Sequence, residues 1–344
     1  MTNLWKCIII ACACVILGAC ASKEDPKITA AKNAAKFELR DGNISFSKPA
    51  FMDAAKNGNI KAMQLFLDAG MDVNAKDNGT ALTYAVYANN IKSVKFLIEH
   101  HADVNESSYW GTPLGVASYK DFYDIAELLI HNGANVNEVS RNGMTPLFNA
   151  VLLTGKKDIV KLLLENGADP NFEQTNTKET ALTLAAGKGY LGIVKLLVDG
   201  GADVNYHDSG NLTPMDWALL DNHTDVARIL LENGAAVSGE NSSDRPMVYA
   251  LERSDYVFAE LLIKHGVSVN AKAFGKMPFI VWSAKRKLNE GVKFLVDHGA
   301  DINAADSSGQ TALDYALANK DMDLVKYLKT AKPVKIISSE NTGN

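Results

Sequence analysis

After its first twenty residues the chain contains no cysteine. All four, Cys7, Cys12, Cys14 and Cys20, stand at the very start of a sequence of 344 residues. The chain beyond Cys20 therefore holds no thiol nucleophile, disulfide or cysteine-based metal site, and an oxidising compartment leaves it unchanged. Long apolar runs are scarce as well. The run from Cys7 to Leu17 is well short of the roughly twenty residues a membrane-spanning helix needs. No His-Glu-x-x-His, Gly-x-Ser-x-Gly or Walker-type loop is present, so the metalloprotease, serine hydrolase and P-loop classes have no residues to carry them. Basic surplus is also missing: 35 lysines and arginines stand against 40 acidic residues, a formal charge of −5. Scattered lysines of this kind read as solvated helix faces, and no nucleic-acid partner is expected.

What the chain has is a period. A helix-ending glycine or its equivalent stands at Gly70, His101, Gly133, Gly167, Gly201, Gly234, Gly266 and Gly299, between 31 and 34 residues apart. Most begin variants of Gly-Ala-Asp-Val-Asn. About ten residues further on comes a second signature, as Thr112-Pro113-Leu114, Thr145-Pro146-Leu147 and Thr213-Pro214-Met215, with looser copies Thr80-Ala81-Leu82, Thr180-Ala181-Leu182 and Thr311-Ala312-Leu313. A threonine hydroxyl caps free helix amides, and proline suits the first turn because its missing N–H has no helical partner there. Small residues recur at Ala85, Ala117, Ala150, Ala185, Ala218, Ala250 and Ala316, which lets helices approach closely. A second helix comes next, with apolar ridges such as Ile159-Val160-Lys161-Leu162-Leu163-Leu164, and ends where glycine adopts the left-handed conformation. Fixed periods of this length mean stacked units.

These paired signatures resemble the ankyrin repeat. The resemblance implies an all-α solenoid of about nine helix-turn-helix units with projecting β-turns over residues 47–331. The first unit (Pro49, Ala50, Phe51), the seventh (Arg245-Pro246-Met247) and the eighth (Met277-Pro278-Phe279) are degenerate. Counting from Met277 puts Trp282 at the small-residue position, where a kink or a shifted helix is expected.

Several chemistry-like features reduce to this architecture. Gly187-Lys188-Gly189-Tyr190-Leu191-Gly192 has dinucleotide-loop spacing but would join two helices, whereas that loop must follow a strand. His131, His265 and His298 precede the helix-ending glycines, where capping of terminal carbonyls is expected, and His101 replaces such a glycine. Asp72, Asp103, Asp169, Asp203 and Asp301 recur with the repeat and read as turn formers, not a carboxylate pair. No catalytic residue, metal site or cofactor is expected, and the chain is not expected to be an enzyme.

The first nineteen residues, with Lys6 before the apolar run, have the layout of an export signal. Leu17-Gly18-Ala19-Cys20 resembles the bacterial lipobox; a plain cleaved signal peptide is the alternative. By that resemblance Cys20 carries lipid and holds the protein to a membrane. Ala21 in place of aspartate resembles the pattern sent to the outer membrane, whose periplasmic leaflet is the expected address in the bacterial envelope, with exposure at the cell surface left open. Residues 20–46 read as the lipidated N-terminus and a tether, helical in part between Thr29 and Leu39. Residues 332–344 read as a disordered tail.

The resemblance implies a concave groove lined by turn tips and first helices. At the turn tips the chain places Tyr109, Trp110, Phe172, Tyr206, His207 and Phe274; along the first helices it places Tyr87, Tyr119, Leu152, Leu153 and Leu220. Exposed aromatics of this kind mark contact sites. The competing reading is that some fold back over helix ends. A monomeric module that binds another protein is expected, either neutralising a toxin or envelope enzyme or scaffolding an envelope protein.

Overall fold

The computed structural model describes residues 25–153, 155–237, 245–273 and 276–331. The signal segment, Cys20, Phe274 and the tail from Lys332 lie outside these residues. The described residues form two compact units, one of residues 25–117 with 124–134, the other of residues 118–123 with 135–331. Their regular structure is almost entirely helical, the exception being a short hairpin of Lys272–Ala273 against Met277–Pro278 and isolated bridges in other turns.

Nine helix pairs succeed one another among the described residues. The first helices are Lys48–Asn57, Ala81–Tyr87, Pro113–Lys120, Pro146–Leu153, Ala181–Gly187, Pro214–Leu220, Arg245–Glu252, Phe279–Lys285 and Ala312–Ala318. Their partners are Ile60–Asp68, Ile91–Glu99, Tyr123–His131, Lys157–Glu165, Leu191–Asp199, Thr224–Glu232, Tyr256–Lys264, Asn289–Asp297 and Met322–Thr330. Thr80, Thr180, Thr213 and Thr311 are N-caps whose side chains accept from the third helical amide, each in a reciprocal capping box. Thr112 and Thr145 accept in the same way from Gly115 and Phe148. The small residues Ala85, Ala117, Ala150, Ala185, Ala218 and Ala316 are wholly buried.

The first eight second helices each close on a left-handed residue, whereas Met322–Thr330 ends on Ala331 in extended backbone. His101 takes a φ of 65° where its counterparts are glycines, an uncommon backbone for a residue with a side chain. The turn between the helices of a pair needs the same conformation, supplied by Asn89, Asp121, Gly189, Asn222, Ser254, Lys287 and Lys320. The glycine-rich run at 187–192 is accounted for by this turn. Gly189 has a φ of 69°, and a Cβ there would lie 2.4 Å from Nδ1 of His223.

Asparagines join successive turns. Asn137 donates to the carbonyl of Gly167 and accepts from the amide of Asp169; Asn171 does the same with Gly201 and Asp203. The recurrent aspartates act locally: Asp72, Asp103, Asp169, Asp203 and Asp301 each accept from the backbone amide two residues on.

Two expectations change. The eighth repeat is one residue later than Met277-Pro278-Phe279 suggests. Pro278 is the N-cap of Phe279–Lys285, so the wholly buried Ser283 takes the small-residue position and Trp282 the half-buried position before it. The helix needs neither a kink nor a widened gap. The stretch read as a tether to residue 46 is also folded from Pro26 onward. Asp25 caps a helix Pro26–Asp41 with proline in its first turn, and Ala35 and Leu39 are buried as it packs on Ile60–Asp68. The expected helical stretch from Thr29 to Leu39 lies inside it. A helix there covers the apolar side of the first described repeat, as a neighbouring repeat does for the others.

Candidate functional site

In most first helices residues one, two, three, five and six point inward. In Ala81–Tyr87 these are Ala81, Leu82, Thr83, Ala85 and Val86, all buried. The fourth and seventh positions and the residue after them are left on the surface. The sequence points to the seventh and eighth positions; the structure adds the fourth. There stand Tyr84, Trp217, Trp282 and Tyr315, and Tyr249 takes the same place counted from Pro246, each half-buried.

In the first unit the ring of Trp110 is gripped by two tyrosines. Tyr84 meets it edge-on at 5.0 Å between centroids and Tyr87 stacks on it at 5.2 Å, geometries that add to simple area burial. The turn bearing Trp110 is itself fixed. Its amide donates to Oγ of Ser108, Ser108 bonds twice to the carbonyl of Gly111, and the amide of Tyr109 donates to the carbonyl of Asn78 in the turn before. Tyr109 at the tip is 75% exposed. Burial, then the charges of Asp77 and Asp53, raise the Tyr84 hydroxyl above its ordinary value, so it stays a neutral donor at physiological pH. Tyr87, Tyr109 and Trp110 are thus brought together; Tyr119 belongs to the other unit.

In the second unit Leu153 and Leu220 are exposed, whereas Leu152, Tyr119, Phe172 and His207 are half-buried. Tyr206 is more committed than its turn-tip place suggests. Its hydroxyl donates at 2.7 Å to the carbonyl of Lys178 in the preceding turn, and burial with Glu173 nearby raises its pKa. The fourth-position aromatics tie helix to turn. Nε1 of Trp217 donates to Asp208 at 2.7 Å, and the Tyr315 hydroxyl to Asp306 at 2.8 Å. Cations cover these rings: Arg253 lies 5.0 Å from Tyr249, Arg286 5.6 Å from Trp282 and Lys285 5.6 Å from Tyr315.

Histidines perform the expected capping in part. Nδ1 of His100, His265 and His298 lies within hydrogen-bond distance of the carbonyl four residues back. Among the described residues no group of three or more His, Cys, Asp or Glu side chains is arranged to hold a metal ion, and no helix is long and apolar enough to cross a membrane.

The last repeat carries a charge signature. Asp306, Asp314 and Asp321 are all held below the ordinary aspartate value, Asp306 chiefly by the Tyr315 hydroxyl, Asp314 by the Thr311 amide and Asp321 by the Leu324 amide. A carboxylate whose pKa folding lowers adds stability that is full above its unfolded value and is lost as pH falls through the folded one. The last repeat is therefore expected to weaken as pH drops below about 4. Amide exchange across Ala312–Ala318 between neutral and acid pH checks this, and Asp314→Asn should flatten the dependence.

Comparison with known proteins agrees with this construction. A family model of ankyrin repeats, written as three copies, matches residues 18–108, 106–174, 154–241 and 247–337. The α-latrotoxin Lg1a of Latrodectus geometricus is 33% identical over 129 residues, covering 36% of this chain and 9% of the toxin. Mouse ankyrin repeat and SOCS box protein 6 is 34% identical over 106 residues, 28% of this chain and 24% of that protein. A fowlpox virus ankyrin repeat protein is 37% identical over 98 residues, 28% of this chain and 18% of its own. The chain thus spans at most about a quarter of these relatives, and the similarity is that of the shared repeat. Capped helix pairs, asparagine-linked turns and a family match over most of the sequence together make this chain a member of the ankyrin repeat family, whose repeats are protein-interaction modules.

Proposed function

We propose that the chain is a lipid-anchored, extracytoplasmic binding module of the bacterial envelope. It captures a protein on its turn tips and first helices and thereby neutralises a toxin or restrains an envelope enzyme. The observation that carries the binding face is the Tyr84–Trp110–Tyr87 cluster beside the exposed Tyr109. Large aromatic area is presented there on a turn held by its own hydrogen bonds, so little ordering cost is added on association. The anchor rests on the sequence Leu17-Gly18-Ala19-Cys20. Lipid chains at Cys20 would bring stable membrane attachment at about 0.8 kcal/mol per buried methylene. Helix Pro26–Asp41 begins six residues after Cys20, so the first repeat would work close to the bilayer surface.

Affinity capture from detergent-solubilised envelopes tests the function. A stoichiometric toxin or enzyme whose activity falls on binding supports it, and a retained protein whose activity is unaffected favours a scaffold. Tyr109→Ala and Trp110→Ala are each expected to weaken capture by about 1–2 kcal/mol; Tyr109, on the surface, leaves the melting temperature unchanged. Affinity unchanged from the parent protein in both variants contradicts the proposed face. Cys20→Ser is expected to move the protein from the membrane pellet to the soluble fraction, and a variant that still sediments contradicts the anchor.

A further inference from the structure

Charge along this acidic chain is uneven. Between Arg245 and Lys287 stand eight lysines and arginines against three acidic residues, in a protein of formal charge −5. The structure sorts these charges by face. Glu260 pairs with Lys264 within the second helix Tyr256–Lys264, and Asp255 caps that helix and is held by Arg228 at 2.8 Å. The remaining cations fall on the first helices and turn of the seventh and eighth repeats. Arg253, Lys285, Arg286 and Lys287 are exposed at the ends of the first helices, and Lys272 and Lys276 are exposed on the hairpin that precedes Phe279–Lys285.

Four carboxylates near this face are already engaged. Asp216 closes a capping box and pairs with Arg245; Glu252 pairs with Arg286; Asp208 and Asp306 hold Trp217 and Tyr315. Between the two groups of cations run the half-buried rings of Trp217, Tyr249, Trp282 and Tyr315, one per repeat. Helices pack about 8–10 Å apart, and a chain in the polyproline II conformation rises about 3.1 Å per residue with three residues per turn, so every third residue returns to the same side at about the spacing of successive rings. Arg253 donates from Nη1 to the carbonyl of Leu219 and Arg286 from Nη2 to Glu252; a guanidinium carries five N–H donors, so each keeps others for a further carboxylate.

We propose that this face of the seventh and eighth repeats binds an extended acidic segment of a protein partner. Apolar side chains at a three-residue spacing pack against the rings beside the cations that cover them, and carboxylates pair with Lys272 and Lys276 on one side and Arg253, Lys285 and Arg286 on the other. A nucleic acid fits less well, because its phosphates require an uninterrupted basic stripe and here carboxylates stand among the cations. The inference rests on the reading of the turn tips and first helices as a protein-binding face.

Fluorescence anisotropy with synthetic peptides tests it. The probe is a peptide of about ten residues, which places four phenylalanines at every third position with glutamate between, one for each ring. It is compared with a glutamine-for-glutamate version and with a single-stranded oligonucleotide. The acidic peptide is expected to bind about tenfold or more tightly than the glutamine version, with affinity falling as salt rises. Arg253→Ala with Arg286→Ala should lose about tenfold. So should Lys272→Glu with Lys276→Glu, a surface pair whose unfolding temperature controls for misfolding. Equal binding of the glutamine peptide, tighter binding of the oligonucleotide, or no binding of the acidic peptide overturns the proposal. A natural partner captured through Trp110 yet indifferent to both double variants would sink this inference alone; a partner gripped by the second helices would sink the underlying reading too.

Discussion

Phe66→Ala is expected to destabilise the first unit by about 3–5 kcal/mol. Phe66 has no exposed surface. Its ring sits 5.4 Å from that of Phe51 in the same repeat and 5.9 Å from Phe46, and its helix Ile60–Asp68 is the one that helix Pro26–Asp41 covers. Truncation removes apolar area and leaves a cavity that a packed neighbourhood closes only in part. The loss should be local, because each unit of a repeat stack is held chiefly by its neighbours. Amide exchange should accelerate across Pro26–Asp41 and Lys48–Asp68 while Pro214–Leu220 keeps its protection. Phe66→Leu, which retains most of the volume, should cost less than about 1.5 kcal/mol. Uniform loss across the chain would show that stability is not divided by repeat.

Asp216→Ala is expected to cost about 2–3 kcal/mol, combining loss of a helix cap with burial of unsatisfied donors. Asp216 is 1% exposed. Its Oδ2 accepts from both the amide and the hydroxyl of Thr213, at 3.0 Å each, while its own amide donates to the Thr213 hydroxyl. Arg245 approaches the same oxygen at 3.5 Å, and Oδ1 is buried without a hydrogen-bond partner. Two other repeats solve the same problem without charge, with Thr83 and Thr183 accepting from the amides of Thr80 and Thr180 at 2.9 and 2.8 Å. Asp216→Thr is therefore expected to stay within about 1 kcal/mol of the parent, since it keeps the reciprocal cap and removes the orphan oxygen. Denaturant melts of the two variants decide the point. A threonine variant as unstable as the alanine one would mean that the pairing with Arg245, not the cap, carries the stability.

The parts of this fold that were legible are those fixed by single-residue chemistry. Threonine caps, left-handed glycines and buried alanines answer to hydrogen bonding and sterics within one or two turns of chain, so their spacing alone locates the helices. The eighth repeat misleads because Met277-Pro278-Phe279 imitates Thr-Pro-Leu with its proline in the first turn. Counting back from Gly299 corrects it: cap and closing residue are 21 apart in Thr80–His101, Thr112–Gly133 and Thr180–Gly201, and the same count from Gly299 reaches Pro278. The N-terminal helix was legible only as a short helical stretch, because its burial comes from Ala35 and Leu39 meeting another helix.

The binding face divides in the same way. Tyr87, Tyr109, Leu153 and Leu220 are exposed where the repeat pattern places them. Tyr206 looks equally free in the sequence, but its hydroxyl reaches a carbonyl 28 residues away, a bond no local pattern encodes. The fourth-position rings carry a signal of their own, since Trp217, Tyr249, Trp282 and Tyr315 recur at 32 to 33 residues. Only the burial pattern of the helices shows that this column faces outward.

Hydrogen exchange on the complex with the captured protein is the most direct measurement of the central claim. Binding through the turn tips and first helices predicts protection concentrated around Ser108–Gly111, Ala81–Tyr87 and the first helices from Pro214–Leu220 to Phe279–Lys285, with Ile91–Glu99 and Leu191–Asp199 unchanged. Protection confined to those second helices would contradict it.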